Sequence, residues 1–219
     1  MNVVLEPLAR VADIGGPVVL LLIAMAVVTL AVVLYKFWQF AAAGVGRHRA
    51  LRDAVAAWDR GDRTEARRAL DRSSSYLAPV VDMAVSAPPA PETLGRLTAE
   101  AEMRFAKLER GLRFLDMVAQ LAPLIGLFGT VLGMIEAFQS LQDAGPQVDP
   151  SILAGGIWVA LLTTAVGLAV AMPTSAILSL FESRLDAERV LAEKAIATIR
   201  APLGGQPAER VGMAAPVHA

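Results

Sequence analysis

Residues 117–135 read MVAQLAPLIGLFGTVLGMI, a run of 19 residues without a charge, closed by Asp116 on one side and Glu136 on the other. A helix rises 1.5 Å per residue, so about 20 apolar residues cross the hydrocarbon core of a bilayer. Two further windows flank this one. Residues 14–35 give 22 uncharged positions between Asp13 and Lys36, and residues 150–181 give 32 between Asp149 and Glu182. Three such windows in 219 residues predict three transmembrane helices, the third long enough to project beyond the bilayer.

Composition agrees with lipid as solvent. Apolar residues make up 55% of the chain and charged residues 19%, against about 45–50% and about 25% in average globular domains. The absence of cysteine removes disulfides, thiol catalysis, zinc–thiolate sites and a lipoprotein anchor. Two histidines, His48 and His218, are too few for a His-rich metal site. A net charge of −1 removes the electrostatic case for nucleic acid. No span or loop offers a nucleophile–base pair or a metal cluster, so an enzyme is not expected, and neither is a cofactor.

Position matters more than the sum of charge. With three spans, 19 of the 20 Lys and Arg fall on one side: 14 over residues 36–113 and five after Glu182, with Arg10 alone in the N-terminal tail. The positive-inside rule makes that side cytoplasmic. Glu6 and Asp13 precede the first window while Lys36, Arg47, Arg49 and Arg52 follow it, the reverse of a cleaved signal peptide. The first span is therefore a retained anchor with its N-terminus out, and Tyr35, Phe37 and Trp38 form an interfacial belt at its inner end.

The expected organisation is an all-α integral membrane protein. A periplasmic segment covers residues 1–13, the first span 14–37, a cytoplasmic helical loop 38–113 and the second span 114–140. A periplasmic loop covers 141–150, the third span 151–181, and a cytoplasmic helix with a disordered tail 182–219. Within the loop, residues 47–72 are Arg/Ala-rich and broken at Gly61-Asp62 into two short helices. Asp62 followed by Glu65 resembles a capping box. Ser73–Ser75 and the Pro88-Pro89-Ala90-Pro91 run are breaks. From Glu92 a single helix is expected to run on through the second span to Leu141, and the third span to run on through residues 182–199, so both long helices extend into the cytoplasm. The arginines of the loop have two readings: anionic lipid headgroups, or a solvated, salt-bridged helix face, which the interleaved acids favour.

The second span carries Ala122, Gly126, Gly129, Thr130, Gly133 and Ala137 at steps of three or four, and the third carries Gly156, Ala160, Thr164, Gly167 and Ala171. Small stripes let helix backbones approach closely in lipid, and helix packing accounts for the glycines and alanines. The hydroxyls of Thr130, Thr163 and Thr164 have two readings. A threonine can bond back to its own helix and do nothing more. Alternatively, Thr130 and Thr164, at matching depth, form a narrow polar lining.

Residues 121–138, LAPLIGLFGTVLGMIEAF, and residues 153–173, LAGGIWVALLTTAVGLAVAMP, resemble the MotA/TolQ/ExbB proton channel family. The resemblance covers about residues 10–200 and is strongest over 115–182. Size, three spans and topology resemble ExbB and TolQ, with ExbB favoured. The resemblance implies a multi-pass protein of the bacterial inner membrane, a homopentamer whose second and third spans line a pore. Inside that pore stand single-span ExbD-like partners, each with one proton-binding aspartate, and the motor drives a TonB-like protein. It also implies that Thr130 and Thr164 take the family's pore-threonine positions. A TolQ-like subunit for envelope maintenance and a non-conducting scaffold are the alternatives.

One departure stands out. Relatives commonly carry a glutamate just before Ala-Leu in the third span, where this chain has Val159. A mid-membrane carboxylate is expensive and usually functional. Either the glutamate is dispensable here, or Glu136 in the second span supplies the acid, or the channel is inactive; the first is favoured because the obligatory acid belongs to the partner. Glu136 also reads as an interfacial residue facing headgroups or as an outer antechamber, and Asp116 as an exit acid or an interfacial one.

Overall fold

The computed structural model describes residues 2–88, 90–143 and 150–205, with side chains from residue 16 onward except 91, 150, 152 and 205. Among the described residues seven helices follow one another: α1 Asn2–Ala43, α2 Arg49–Asp59, α3 Arg63–Asp71, α4 Ala78–Ser86, α5 Pro91–Glu109, α6 Leu112–Asp143 and α7 Pro150–Arg200, closed by a 3-10 turn at Leu203–Gly205. No strand occurs among the described residues. Among the described residues three stretches are long and apolar enough to cross a membrane: Gly16–Ala43, Leu112–Asp143 and Leu153–Arg200.

Local chemistry sets the helix ends. α1 kinks at Gly16, whose φ of 64° suits a residue without a Cβ. Pro17 follows, lacks an N–H and disfavours helical geometry in the residue before it. The capping reading holds at α3: Asp62 Oδ1 accepts a hydrogen bond from the Glu65 N–H at 2.9 Å. The two short helices on either side of Gly61 are α2 and α3. Where one helix was expected from Glu92 to Leu141, there are two. Gly111 adopts φ +88° and ends α5 in the left-handed conformation that glycine supplies after a helix. A side chain there would also crowd Lys36, whose Cε lies 3.3 Å from the place of a Cβ.

Residues 202–205 are a second correction. They are not part of a loose tail: the Leu203 N–H donates to Asp59 Oδ1 at 2.8 Å, and Gly204 lies against the backbone of Asp59 and Arg60. The rest of the expected tail, residues 206–219, and most of the expected outer loop, residues 144–149, lie outside the described residues.

The chain divides into two compact units. One comprises Met1–Phe37 and Arg110–Glu182, the other Trp38–Glu109 and Ser183–Ala219. In the first, Leu22, Val118, Ala122 and Ala171 form a small buried cluster with Val18, Met25 and Ile125 against it. Leu20, Leu30, Leu124, Phe128, Leu161 and Met172 stay exposed, as an apolar solvent would allow. The second unit has a core of soluble-protein type. Leu51, Leu70, Leu77, Val80, Leu97, Phe105, Ala195 and Ile199 are buried together, and the Trp58 indole donates to the Ile199 carbonyl at 3.1 Å.

Candidate functional site

In the first unit α6 and α7 pack antiparallel along their small residues. A Cβ on Gly167 would stand 2.6 Å from the Ala122 carbonyl oxygen, and one on Gly126 2.9 Å from the Thr163 carbonyl. One on Gly129 would meet the Thr163 side chain at 2.7 Å, one on Gly133 the Ala160 Cβ at 3.1 Å, and one on Gly156 the Ala137 Cβ. Partner numbers fall on one helix as they rise on the other. The backbones touch, which only small residues permit.

The three threonines hold different places on this seam. Thr163 is in it, 3% exposed, its hydroxyl 2.7 Å from the Ala160 carbonyl and 3.0 Å from the Gly126 carbonyl on the facing helix. Thr130 and Thr164 are half-buried, each one residue past a seam position, Gly129 and Thr163. One residue turns a helix by about 100°. Because the helices are antiparallel, the same step on each carries both residues to the same edge of the seam. The contact of Gly129 with Thr163 sets them at one level. The Thr130 hydroxyl donates to the Leu127 carbonyl at 2.6 Å. The Thr164 hydroxyl oxygen is enclosed and has no hydrogen-bond partner among the described residues, an expensive condition for a buried polar group.

The acids stand elsewhere. Val159, half-buried, precedes the seam residue Ala160, and the step back turns it to the opposite edge from Thr164. Glu136 precedes Ala137 in the same way and is exposed, roughly 3 Å along the helix axis from the level of Val159. Asp116 is exposed near the start of α6 and accepts from the Gln120 amide at 2.7 Å. Among the described residues the seam holds the Thr163 hydroxyl and backbone carbonyls and no carboxylate.

The second unit contains a constellation that sequence reasoning missed. His48, 2% exposed, stands before the first turn of α2, with Nε2 2.7 Å from Glu188 Oε1 and Nδ1 2.9 Å from Ser75 Oγ. Glu188 is 5% exposed, and its Oε1 also accepts from the Gly46 N–H at 3.0 Å. The Tyr76 hydroxyl donates to Oε2 at 2.9 Å. Burial and the neighbouring carboxylate push the Tyr76 phenol far above its ordinary range. A signal was present in α7: Phe181, Leu185, Ala192, Ala195 and Ile199 make a buried helical stripe, and Glu188 occupies the gap in it. A carboxylate in an apolar stripe calls for a partner, and sequence spacing did not say which.

Comparison with known proteins matches residues 72–194 to a family model described as the MotA/TolQ/ExbB proton channel family, 123 of the 219 residues. A Vibrio cholerae biopolymer transport protein exbB1 is 43% identical over 81 residues, 36% of this chain and 36% of that protein. The Tol-Pal system protein TolQ of Haemophilus influenzae is 41% identical over 91 residues, 39% of this chain and 40% of its own length. The biopolymer transport protein ExbB of Helicobacter pylori is 39% identical over 87 residues, covering 40% of this chain and 57% of that one. The chain thus spans from about a third to somewhat over half of these relatives' lengths.

Proposed function

This chain belongs to the MotA/TolQ/ExbB proton channel family, and from that premise we propose that it is the pore-forming inner-membrane subunit of a motor driven by the proton-motive force, ExbB-like in energising TonB-dependent outer-membrane transport. In this reading it assembles as a homopentamer around an ExbD-like single-span partner that carries the proton-binding aspartate. The N-terminus faces outward and the arginine-rich segment faces the cytoplasm, supported by the 19-to-1 division of positive charge.

The observation that carries the reading is the shared edge of Thr130 and Thr164. Two hydroxyls at one level, that of Thr164 enclosed and without a hydrogen-bond partner among the described residues, suit a guest acid or a water file that the Thr164 side chain meets by turning outward. Thr163 and the Gly126, Gly129, Gly133, Gly156, Ala160 and Gly167 seam would hold that edge in place. With Val159 where relatives carry glutamate, and with Asp116 and Glu136 off the seam, proton binding falls to the partner. Each proton crossing 100 mV releases about 2.3 kcal/mol before any pH gradient, so force on a distant partner needs several protons or a ratchet.

The test is the Thr130→Val, Thr164→Val double variant in a strain dependent on this chain. Valine keeps the shape, and polar contacts in membrane proteins average only about 0.6 kcal/mol, so assembly should survive while TonB-dependent uptake is lost. Normal uptake would remove the channel reading and leave a scaffold. The likeness to TolQ supports a second reading, envelope maintenance. Complementation of strains lacking ExbB or TolQ separates the two, by iron-chelate uptake in one and detergent resistance in the other. Val159→Glu should be tolerated if that edge is wet, and should fail to insert if it faces lipid.

A further inference from the structure

The buried cage in the second unit has no part in the reading above, and its hydrogen-bond inventory is complete enough to fix which atom is free to change. Three donors converge on Glu188: the Gly46 N–H and His48 Nε2 on Oε1, and the Tyr76 hydroxyl on Oε2. An ionised carboxylate accepts all three, with His48 Nε2 carrying its hydrogen toward Oε1. The reverse arrangement, a neutral acid donating from Oε1 to a bare Nε2, moves that proton from the more basic imidazole to the less basic carboxylate, so the ionised form is the starting state. With that hydrogen in place Nε2 has no lone pair for the Gly46 N–H, 3.0 Å away, so that N–H belongs to Glu188. One atom of the imidazole remains undetermined, Nδ1.

Nδ1 faces Ser75 Oγ at 2.9 Å, and Ser75 Oγ also accepts from the Leu77 N–H at 3.2 Å. A hydroxyl has one hydrogen and two lone pairs. With the Leu77 bond on one lone pair, Ser75 can donate its hydrogen to a bare Nδ1. It can also accept from a protonated Nδ1 on the second lone pair once its own hydrogen rotates away, at the cost of that hydrogen's present acceptor. Both arrangements use the same heavy-atom positions. We propose that His48, Ser75 and Glu188 form a proton-binding site: one proton adds to the Nδ1 lone pair, the Ser75–His48 hydrogen bond reverses, no covalent bond breaks, and the cage passes from a net −1 to a neutral imidazolium–carboxylate pair.

The surroundings leave this charge change to the cage. From the α3–α4 loop the facing group is the Tyr76 hydroxyl, already spent on Glu188. From α5, Arg104 is held by Glu100 and by the Tyr76 carbonyl. On α7, Arg189 pairs with Glu109, Glu102 and Asp186. Arg47 before α2 and Arg49 and Arg52 on it are exposed. The site stands independently of conduction, so the Thr130/Thr164 experiment and the one below can fail separately.

His48 and His218 are the chain's two histidines, so His218→Ala leaves one imidazole to observe. Nitrogen-15 NMR of the full-length His218→Ala chain in phospholipid nanodiscs reads both ring nitrogens during acidification. Nε2 should keep its hydrogen at every pH while Nδ1 changes from bare to protonated with the chain folded. Glu188→Gln, which removes the negative charge facing the imidazole, should move that change to lower pH. Tyr76→Phe, which removes a donor from the same carboxylate and keeps the charge, should shift it up, and it serves where the glutamine variant does not fold. A bare Nδ1 until the chain unfolds, a bare Nε2 at any pH, or a midpoint indifferent to both substitutions would overturn the proposal.

Discussion

Tyr76 shows how far one side chain's chemistry depends on neighbours remote in sequence. Its hydroxyl donates to Glu188, 112 residues away, and its ring meets Phe105 edge-on at 6.3 Å between centroids. Burial and the carboxylate raise the pKa of the phenol, so the folded chain keeps a proton that the unfolded chain loses near pH 10. Above that pH the unfolded state binds fewer protons, and stability falls as pH rises. Unfolding of the full chain in detergent, followed by circular dichroism from pH 8 to 11, should show this decline. In Tyr76→Phe the decline should be shallower, and at neutral pH the variant should be less stable by about 1–3 kcal/mol, because Glu188 loses a donor. A parallel decline in both proteins would mean that the phenol is not coupled to folding.

At the scale of elements, α6 and α7 owe their contact to absent side chains. In lipid there is no hydrophobic drive between helices, and close packing does most of the work. Two glycines on α7 separate packing from helix propensity. A Cβ at Gly167 would stand 2.6 Å from a backbone carbonyl, which cannot yield as a flexible side chain can, whereas a Cβ at Gly155 meets nothing within 4 Å. Gly167→Ala should therefore lower stability by about 1–3 kcal/mol through overpacking. Gly155→Ala should leave it unchanged or raise it by up to about 1 kcal/mol. Thermal unfolding in detergent compares them directly, and equal behaviour would show that the seam is not the contact that holds the helices. Much of this seam was legible beforehand, because residues at steps of three and four share a helix face whatever they pack against. Its centre was less so. Thr164 was read as a member of the α7 face, yet Thr163 takes the buried position, since 3.6 residues per turn place 156, 160, 163 and 167 in one line. The break at Gly111 was visible only as a lone glycine, and its left-handed φ became meaningful beside Lys36.

For the whole molecule, the proposed topology turns on where 20 positive charges fall. The chain has no cysteine, so single cysteines report location without background. A membrane-impermeant maleimide should label Asn2→Cys in intact cells and Asp71→Cys only after lysis. The reverse pattern would overturn the orientation and with it the cytoplasmic assignment of the His48 cage.

Charge order determined three apolar helices, a four-residue pattern the cap at Asp62, and the runs 121–138 and 153–173 the resemblance to the family, because each of these rests on residues close together along the chain. Only the tertiary structure decided which edge of the α6–α7 seam carries Thr130 and Thr164, and that Val159 and Glu136 face the other. It alone joined His48 to Glu188 across 140 residues. The reason is geometric: helix rotation and register are set by packing between elements, and one residue of shift turns a side chain by about 100°, from a seam to its edge.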